Sequence, residues 1–246
     1  MRKTFVALLF LCSINGFSQN RINDHNTIGW YAFFLTAKIS GKVSAHVEYQ
    51  WRRTNFVEGW QQSLPRIGLN YKINANVTTQ AGYAWIFTYP YGEHTIASVA
   101  KTFPEHRAYE QVTITAPVGK TSLSNRLRLE QRWIGRFNSI ESEKPDKYVY
   151  VNRVRYMPRL DIPLQKDKKL YFAAFDEILI GFGKNVGENV FDQNRIALLL
   201  GYRFNPSLRI EGGYINQVVQ LGREIDNKSV FQHNNGIVIN TYFNIN

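Results

Sequence analysis

The sequence predicts an all-β fold, an antiparallel transmembrane β-barrel of about twelve strands within a range of 10–12. In residues 123–133 the order Leu-Ser-Asn-Arg-Leu-Arg-Leu-Glu-Gln-Arg-Trp alternates nearly strictly between mainly apolar and polar or charged side chains. Such a two-residue period indicates a strand with two different faces. Similar runs of roughly nine to thirteen residues recur along the chain, long enough to cross a bilayer when tilted. Short turns alternate with longer loops between them, which is typical of outer-membrane barrels.

The first residues have the order of a secretory signal peptide, predicted over residues 1–18. Two cations precede an apolar run, residues 5–11, that is too short to cross a membrane as a helix. Small residues at Gly16 and Ser18 predict cleavage near Ser18-Gln19. This leader predicts export and, with the barrel pattern, an outer-membrane location in a Gram-negative bacterium.

The predicted mature chain, residues 19–246, is expected to form a single barrel domain with a basic excess. Loss of the two leader cations lowers the formal net charge from +11 to +9. Because the chain is exported, no nucleic-acid partner is expected. The basic excess favours outer-membrane lipids, lipopolysaccharide or a small anionic solute as partners. The only cysteine, Cys12, lies in the leader, so the mature chain is expected to have no disulfide and no cysteine-ligated metal.

After a polar lead-in, residues 19–26, the chain divides into eleven segments with strand character. These predicted strands are residues 27–39, 43–53, 63–73, 77–89, 107–116, 123–137, 148–161, 170–181, 194–204, 208–220 and 232–243. The longer predicted loops are residues 54–62, 90–105, 138–147, 182–192 and 221–229. Eleven strands would make the first and last strands run in the same direction, whereas bacterial barrels have an even count. About twelve is therefore expected, through a strand missed near the N terminus, a wrongly divided segment, or an N-terminal segment that enters the lumen.

In the first half of the chain, residue parity assigns the faces of most strands. Residues 27–39 have aromatic side chains on both parities, so neither face is assigned there. Residues 43–53 alternate clearly, and residues 63–73 and 77–89 continue the pattern with apolar side chains outward. A short helix is expected over residues 96–100, inside the long loop that precedes the fifth strand.

In the second half, residues 148–161 place arginines on one face, and Pro158 predicts a bulge or a strand end because proline lacks the ladder N–H group. Residues 194–204 alternate between Ile, Leu or aromatic side chains and a mixed face. The last strand, residues 232–243, ends near Phe243. An aromatic residue in this place is what outer-membrane barrels commonly present to the barrel-insertion machinery, which is therefore an expected partner.

The second face of these strands is unusually charged, and an arginine or lysine on the lipid face would cost about 2–4 kcal/mol at mid-depth. We therefore predict that the charged side chains face the lumen. The predicted lumen-facing charged cluster consists of Glu48, Arg52, Arg66, Arg126, Arg128, Glu130, Arg132, Arg153, Arg155, Glu177, Arg195, Arg209 and Glu211. One interpretation is a structural ion-pair lattice that fills a narrow or plugged lumen. The other is a lumen that attracts and transports small anions, because arginines outnumber acids there.

Two alternative functions remain open at this point. An outer-membrane lipid hydrolase would need a nucleophile, a base and an orienting group. His46 could be such a base, with Glu48 two residues away on the same face, but no serine has a matching context, so no catalytic residue is assigned and no enzyme is expected. A secreted soluble β-sandwich that binds a partner would have shorter strands and an edge to protect. No metal-ligand spacing and no phosphate or dinucleotide motif is present, so no cofactor is expected.

Several stretches resemble one known family. Residues 123–133 are similar to the hallmark of a bacterial outer-membrane family catalogued as domain of unknown function 2490. The Asp176-Glu177 pair and residues 192–196 and 199–204 are similar to the later strands of that family. The resemblance covers nearly the whole mature chain and implies an outer-membrane barrel. It supplies no established activity and therefore no catalytic residues.

Overall fold

The computed structural model describes residues 21–186 and 190–245. The predicted signal peptide, its cleavage site and Cys12 lie outside these residues. Regular secondary structure in the described residues is entirely β-strand. Among these residues there is no helix of a length and apolarity that could cross a membrane.

The described residues form eleven strands, which we number in chain order. They are β1 (Arg21–Lys38), β2 (Val43–Thr54), β3 (Gly59–Lys72), β4 (Val77–Thr88), β5 (Phe103–Val118), β6 (Thr121–Arg136), β7 (Lys147–Pro163), β8 (Leu170–Phe182), β9 (Phe191–Arg203), β10 (Leu208–Ile225) and β11 (Lys228–Ile245). All contain 12 to 18 residues, more than a soluble β-sandwich commonly has.

These strands close into one barrel, in which each strand pairs with its neighbours in the sequence and β1 pairs with β11. The closing pair is parallel and runs from Arg21 opposite Ser229 to Ala37 opposite Ile245. An odd number of alternating strands leaves the first and last pointing the same way, so the closure has to be parallel. The prediction of an all-β barrel is confirmed, with eleven strands rather than about twelve. The β-sandwich alternative is wrong, because the closed sheet has no free edge.

The N-terminal end of β1 differs from the expected polar lead-in. β1 begins at Arg21, and its first residues pair with β11 along the parallel seam. Asp24 on the inner face is buried, whereas Asn23 and His25 on the outer face are exposed. Backbone pairing with a strand more than two hundred residues away therefore outweighs the low strand propensity of this polar segment.

Two predicted loops are in fact tight hairpins. In predicted loop 54–62 only residues 55–58 turn, with Asn55 and Phe56 at positive φ. In predicted loop 221–229 the turn consists of Asp226 and Asn227, both at positive φ, as a two-residue type I′ hairpin requires. Polar residues near the end of a strand look like loop in a sequence, although here they continue the ladder.

The connections divide the barrel into two different ends. At the short-turn end the connections are residues 39–42, 73–76, 119–120, 164–169 and 204–207. At the long-loop end they are residues 55–58, 89–102, 137–146, 183–190 and 226–227. The described chain therefore begins at the long-loop end, with Arg21, and finishes at the short-turn end.

The outer face of the barrel is a belt of exposed apolar side chains. Ile67, Leu69, Leu127 and Leu198 are each about half exposed, in the middle of their strands. Exposed aromatic residues lie near the long-loop end at Trp60, Tyr83, Trp85, Trp133, Tyr148 and Tyr150, and near the short-turn end at Tyr71, Tyr202 and Phe204. An apolar band between two aromatic girdles is the arrangement that lipid-facing walls of barrels have.

Candidate functional site in the barrel interior

The interior holds a cavity of about 480 Å³. All eleven strands contribute to its lining, which contains twelve arginines but only four carboxylates among the described residues. Ten of the thirteen predicted lumen residues border it: Glu48, Arg52, Arg66, Arg126, Arg128, Arg132, Arg153, Arg155, Glu177 and Arg195. The other three do not border it: Glu130 and Glu211 are fully buried, and Arg209 stacks over Tyr242 at 3.9 Å.

Glu130, in the middle of β6, is the centre of the densest group of ion pairs. Its carboxylate accepts hydrogen bonds from Arg153 at 2.5 Å, Arg155 at 2.8 Å and Arg107 at 3.3 Å. The side chain is completely buried. Three guanidinium groups from β5 and β7 therefore share one carboxylate that lies between them in the sheet.

Two flanking carboxylates extend this group across the wall. Glu105 pairs with Arg107 at 2.6 Å and Arg132 at 2.8 Å, and Glu177 pairs with Arg126 at 2.6 Å and Arg155 at 2.7 Å. Asp192 on β9 adds a contact to Arg153. We call this set the ion-pair wall: Glu105, Arg107, Arg126, Glu130, Arg132, Arg153, Arg155, Glu177 and Asp192. Here each arginine has a close carboxylate, so the wall is held together by charge-assisted hydrogen bonds.

Arg52 on β2 is different, because no carboxylate oxygen of the described residues lies within 4.0 Å of it. It donates instead to two neutral amide oxygens, of Gln50 at 2.5 Å and Gln62 at 2.8 Å. Its guanidinium carbon lies 3.7 Å from the ring centre of Trp30, a cation–π contact. Arg52 is thus a buried cation held only by neutral groups.

Arg128 and Arg195 are similar in their partners. Arg128 donates two bonds, of 2.6 and 2.8 Å, to the amide oxygen of Gln111. Its Nη1 has no hydrogen-bond partner among the described residues and lies 3.8 Å from the carboxylate of Glu130. Arg195 donates to Gln193 at 2.6 Å, with the nearest carboxylate, Glu177, at 3.4 Å. We call Arg52, Arg128 and Arg195 the open arginines, because amides rather than close carboxylates hold them.

The aromatic ring of Tyr109 makes a cation–π contact with one of these arginines, Arg128. Its ring lies 4.7 Å from the guanidinium of Arg128 and 5.3 Å from that of Arg66. The phenol occupies the space above Gly68 and Gly82, where an added Cβ would come within 2.8 Å and 2.5 Å of its hydroxyl. These glycines are therefore required for the close approach of Tyr109 to the sheet.

The loop of residues 89–102 folds back against the inner wall at the long-loop end. The backbone N–H of His94 donates to Asp24 at 3.0 Å, and its carbonyl accepts from Gln232 at 2.7 Å. The carbonyl of Thr95 accepts from Arg223 at 2.9 Å. The predicted helix over residues 96–100 is absent, and the backbone of the preceding His94 and Thr95 bonds to the barrel instead. Ile96 and Ser98 consequently line the cavity.

A ladder of neutral side chains joins this loop to the site of Arg52. Asn234 donates to the hydroxyl of Tyr91 and to the amide oxygen of Gln217, both at 3.1 Å. Gln61 lies 3.5 Å from Gln217 and accepts the indole N–H of Trp30 at 2.6 Å. The orientation of Trp30 is therefore fixed by a buried hydrogen bond.

Six charged residues of the cavity lining were missing from the predicted cluster: Glu105, Arg107, Arg136, Arg159, Asp192 and Arg223. Glu105 and Asp192 fell in predicted loops, because their strands begin earlier than the polar sequence suggested. Arg107 shares its parity with Glu105 and Tyr109, so extending the two-residue period backwards would have found both charges. Arg159 pairs with Glu211 at 2.5 Å, near the short-turn end.

The possible base of a hydrolase, His46, lies 3.3 Å from Glu48. The same carboxylate is bound by Arg66 at 2.5 Å and by Gln50. In the described chain no serine or threonine hydroxyl is hydrogen-bonded to His46. The arrangement in the described residues is that of a partly buried histidine with a satisfied hydrogen bond, without the hydroxyl nucleophile that a hydrolase base would activate.

Comparison with known proteins supports the fold. The crystal structure of a NanC porin superimposes with a TM-score of 0.50 and 11% identity, over 88% of this chain and 97% of the porin chain. A second porin structure, refined at 1.8 Å, gives a TM-score of 0.36 and 12% identity, over 83% of this chain and 60% of that one. No curated protein sequence matches the chain. The first of these two structures shows that the fold is porin-like.

The family described as "Protein of unknown function (DUF2490)" matches residues 27–228. This range extends from the first strand into the last and includes the alternating stretch 123–133. The resemblance seen in the sequence is thereby confirmed, and the chain belongs to this family of proteins of unknown function.

Proposed function

We propose that this protein is an outer-membrane barrel that admits small anions through a narrow, arginine-lined interior. The exposed apolar belt supports insertion in a membrane, since about 25 cal/mol is gained for each Å² of apolar surface removed from water. The predicted leader and the aromatic girdles favour the outer membrane, with lipids, lipopolysaccharide and the insertion machinery as partners. The short-turn end then faces the periplasm and the long-loop end the outside.

The observation that carries the proposal is the charge of the cavity. Twelve arginines and four carboxylates line it, so the cavity lining has a surplus of positive charge. In a narrow space with low-dielectric walls this surplus attracts anions and repels cations. Cationic side chains at a constriction favour the passage of anions over cations of similar size.

The competing outcome is a closed barrel with a purely structural interior. The ion-pair wall is built of buried side chains in the interior, and the loop of residues 89–102 is hydrogen-bonded across the long-loop end. A lattice of this kind could hold the barrel together without passing any solute. Conductance separates the two, because only an open path gives discrete current steps.

The test starts with the gel mobility of the outer-membrane fraction, with and without boiling, which reports a folded barrel. Purified protein is then reconstituted into planar bilayers under a tenfold KCl gradient. We expect discrete steps of current. The potential at which the current reverses should have the sign of the chloride equilibrium potential. Urea-unfolded protein added in the same detergent is the control. Folded protein that gives no current steps, or a reversal potential with the sign of the potassium equilibrium potential, would overturn the proposal.

A further inference from the structure

We propose that the three open arginines, with Trp30, form a binding site for a small organic anion that carries two or more carboxylate or phosphate groups. This inference rests on the proposed anion-admitting interior and adds a defined site to it. A cation-rich pore needs only a general surplus of charge. A binding site needs particular cations that the protein itself leaves without a close carboxylate, in a fixed arrangement.

The first argument is the contrast in partners. Arginines of the ion-pair wall are neutralised by carboxylates at 2.5–2.8 Å, as for Arg153 with Glu130 and Arg132 with Glu105. Arg52 has only the amide oxygens of Gln50 and Gln62. A buried charge without a counter-charge is unfavourable. An anion in the cavity would supply the charge that the chain does not.

The second argument is that the three open arginines lie in one cavity. The three open arginines, on β2, β6 and β9, all line the same cavity, together with Arg66 and Arg155. Like charges that face one confined space repel one another. A ligand with several negative groups relieves more of this repulsion than a ligand with one.

The third argument is that aromatic rings fix the positions of the guanidinium groups. Trp30 is held by Gln61 at 2.6 Å, and its ring is contacted by Arg52 at 3.7 Å and by Arg195 at 5.2 Å. Tyr109 plays the same role for Arg128. Aromatic rings that fix guanidinium groups reduce the entropy lost when those groups bind an anion.

The carboxylates that face these groups do not compete strongly. Glu48 is bound by Arg66 at 2.5 Å, and Glu177 by Arg126 and Arg155 at 2.6 and 2.7 Å. Glu130 lies 3.8 Å from Arg128 but is bound by Arg153 at 2.5 Å and by Arg155 at 2.8 Å. Each of these carboxylates is thus bound by a closer arginine than any open one. The cavity of about 480 Å³ has room for a small organic anion.

The test is isothermal titration calorimetry on the folded full chain in a nonionic detergent at matched ionic strength. Citrate is the multivalent carboxylate probe, inorganic pyrophosphate the phosphate probe, and acetate the monovalent reference. We expect saturable binding of citrate or pyrophosphate at least tenfold tighter than that of acetate, and the tighter of the two identifies the preferred oxyanion. Binding of all three that is equally weak would overturn the proposal.

Variants locate the site. R52Q and R195Q should each weaken binding of the multivalent probe at least tenfold, because each removes a charge-assisted donor. Arg203→Gln is the matched control: it removes the same charge from the same face of β9, but Arg203 stacks on Tyr171 at 4.0 Å and does not line the cavity. Equal weakening by R195Q and R203Q would show a general charge effect and overturn the site.

Two features keep this result separate from that of the proposed function. Calorimetry in detergent does not require ion flow, so a barrel without conductance can still reveal the site. Conversely, anion-selective current without tight binding of a multivalent probe would leave the channel intact and remove the site. If a variant loses its heat-dependent gel shift, the comparison of citrate and pyrophosphate with acetate on the unchanged chain still decides.

Discussion

The ion-pair wall and the open arginines are two groups of interior residues with opposite surroundings. On the ion-pair wall, guanidinium groups surround shared carboxylates, with three of them on Glu130 alone. Around Trp30, Arg52 and Arg195 contact amides and an aromatic ring instead. The difference teaches that the surrounding groups, more than the residue type, decide whether a buried arginine stabilises the fold or remains available for a ligand.

The physical reason is the balance between desolvation and pairing. Removing one partner of a buried ion pair leaves an uncompensated charge and costs about 3–5 kcal/mol. Removing an arginine that has no close carboxylate leaves no orphaned charge. Stability should therefore depend strongly on the ion-pair wall and weakly on the open arginines, whereas anion binding should depend on the open arginines.

The largest effect is expected for Glu130→Gln. Three buried guanidinium groups would lose their shared counter-charge, so we expect the free energy of unfolding to fall by about 3–5 kcal/mol. Urea unfolding in lipid vesicles, followed by tryptophan fluorescence, measures it. Glu110→Gln is the control: Glu110 is exposed on the outer face, 3.1 Å from Gln131. Equal losses in the two variants would contradict the special role of Glu130.

An arginine-to-methionine substitution in each of the two groups sharpens the comparison. Arg153→Met leaves Glu130 and Asp192 with fewer donors, so we expect a loss of about 1–3 kcal/mol. Arg52→Met removes hydrogen bonds to two amides but also relieves repulsion from its cationic neighbours, so the loss should be below about 1 kcal/mol. The same unfolding assay compares them. A larger loss of unfolding free energy for Arg52→Met than for Arg153→Met would show that the ion-pair wall and the open arginines do not differ in this way.

The next effect concerns the loop of residues 89–102. Asp24→Ala together with Gln232→Ala removes both hydrogen bonds to the backbone of His94. Each buried hydrogen bond contributes about 0.5–1.5 kcal/mol, so the loop should open more often and single-channel conductance should rise. Gln131→Ala on the outer face is the control. An unchanged conductance would mean that this loop does not limit the path.

The smallest effect is expected on the outer face. The hydroxyl of Tyr156 donates to Asn125 at 2.7 Å in an exposed position. Tyr156→Phe should therefore change the free energy of unfolding by less than about 0.5 kcal/mol in the same assay. A loss as large as that for Arg153→Met would mean that outer polar contacts matter as much as the interior lattice.

Much of the fold could be predicted because alternation survives in the sequence. The stretch of residues 123–133 predicts the faces of β6, where Leu127 and Leu129 are exposed and Arg128 and Glu130 are buried. The ends of the strands could not be predicted in this way. Glu105 and Asp192 look like loop residues, because polar side chains that point into a charged interior have the same composition as a solvated turn.

The number of strands and the pairing of charges also depended on the tertiary structure. Strand directions derived from the sequence already implied that the first and last strands run the same way. Only the closed barrel shows that they pair directly and in parallel, from Arg21 opposite Ser229 to Ala37 opposite Ile245. No local pattern encodes a pairing across that separation.

The sequence by itself therefore determined the class of fold, the family and the composition of each face, because a strand's two faces are set by residues two positions apart. The tertiary structure decided which arginines have carboxylates and which do not. Arg52 and Arg153 occupy similar alternating strands in the sequence. Their difference arises from the adjacent strands. Glu130 on β6 lies directly opposite Arg153, whereas Gln62 on β3 lies directly opposite Arg52.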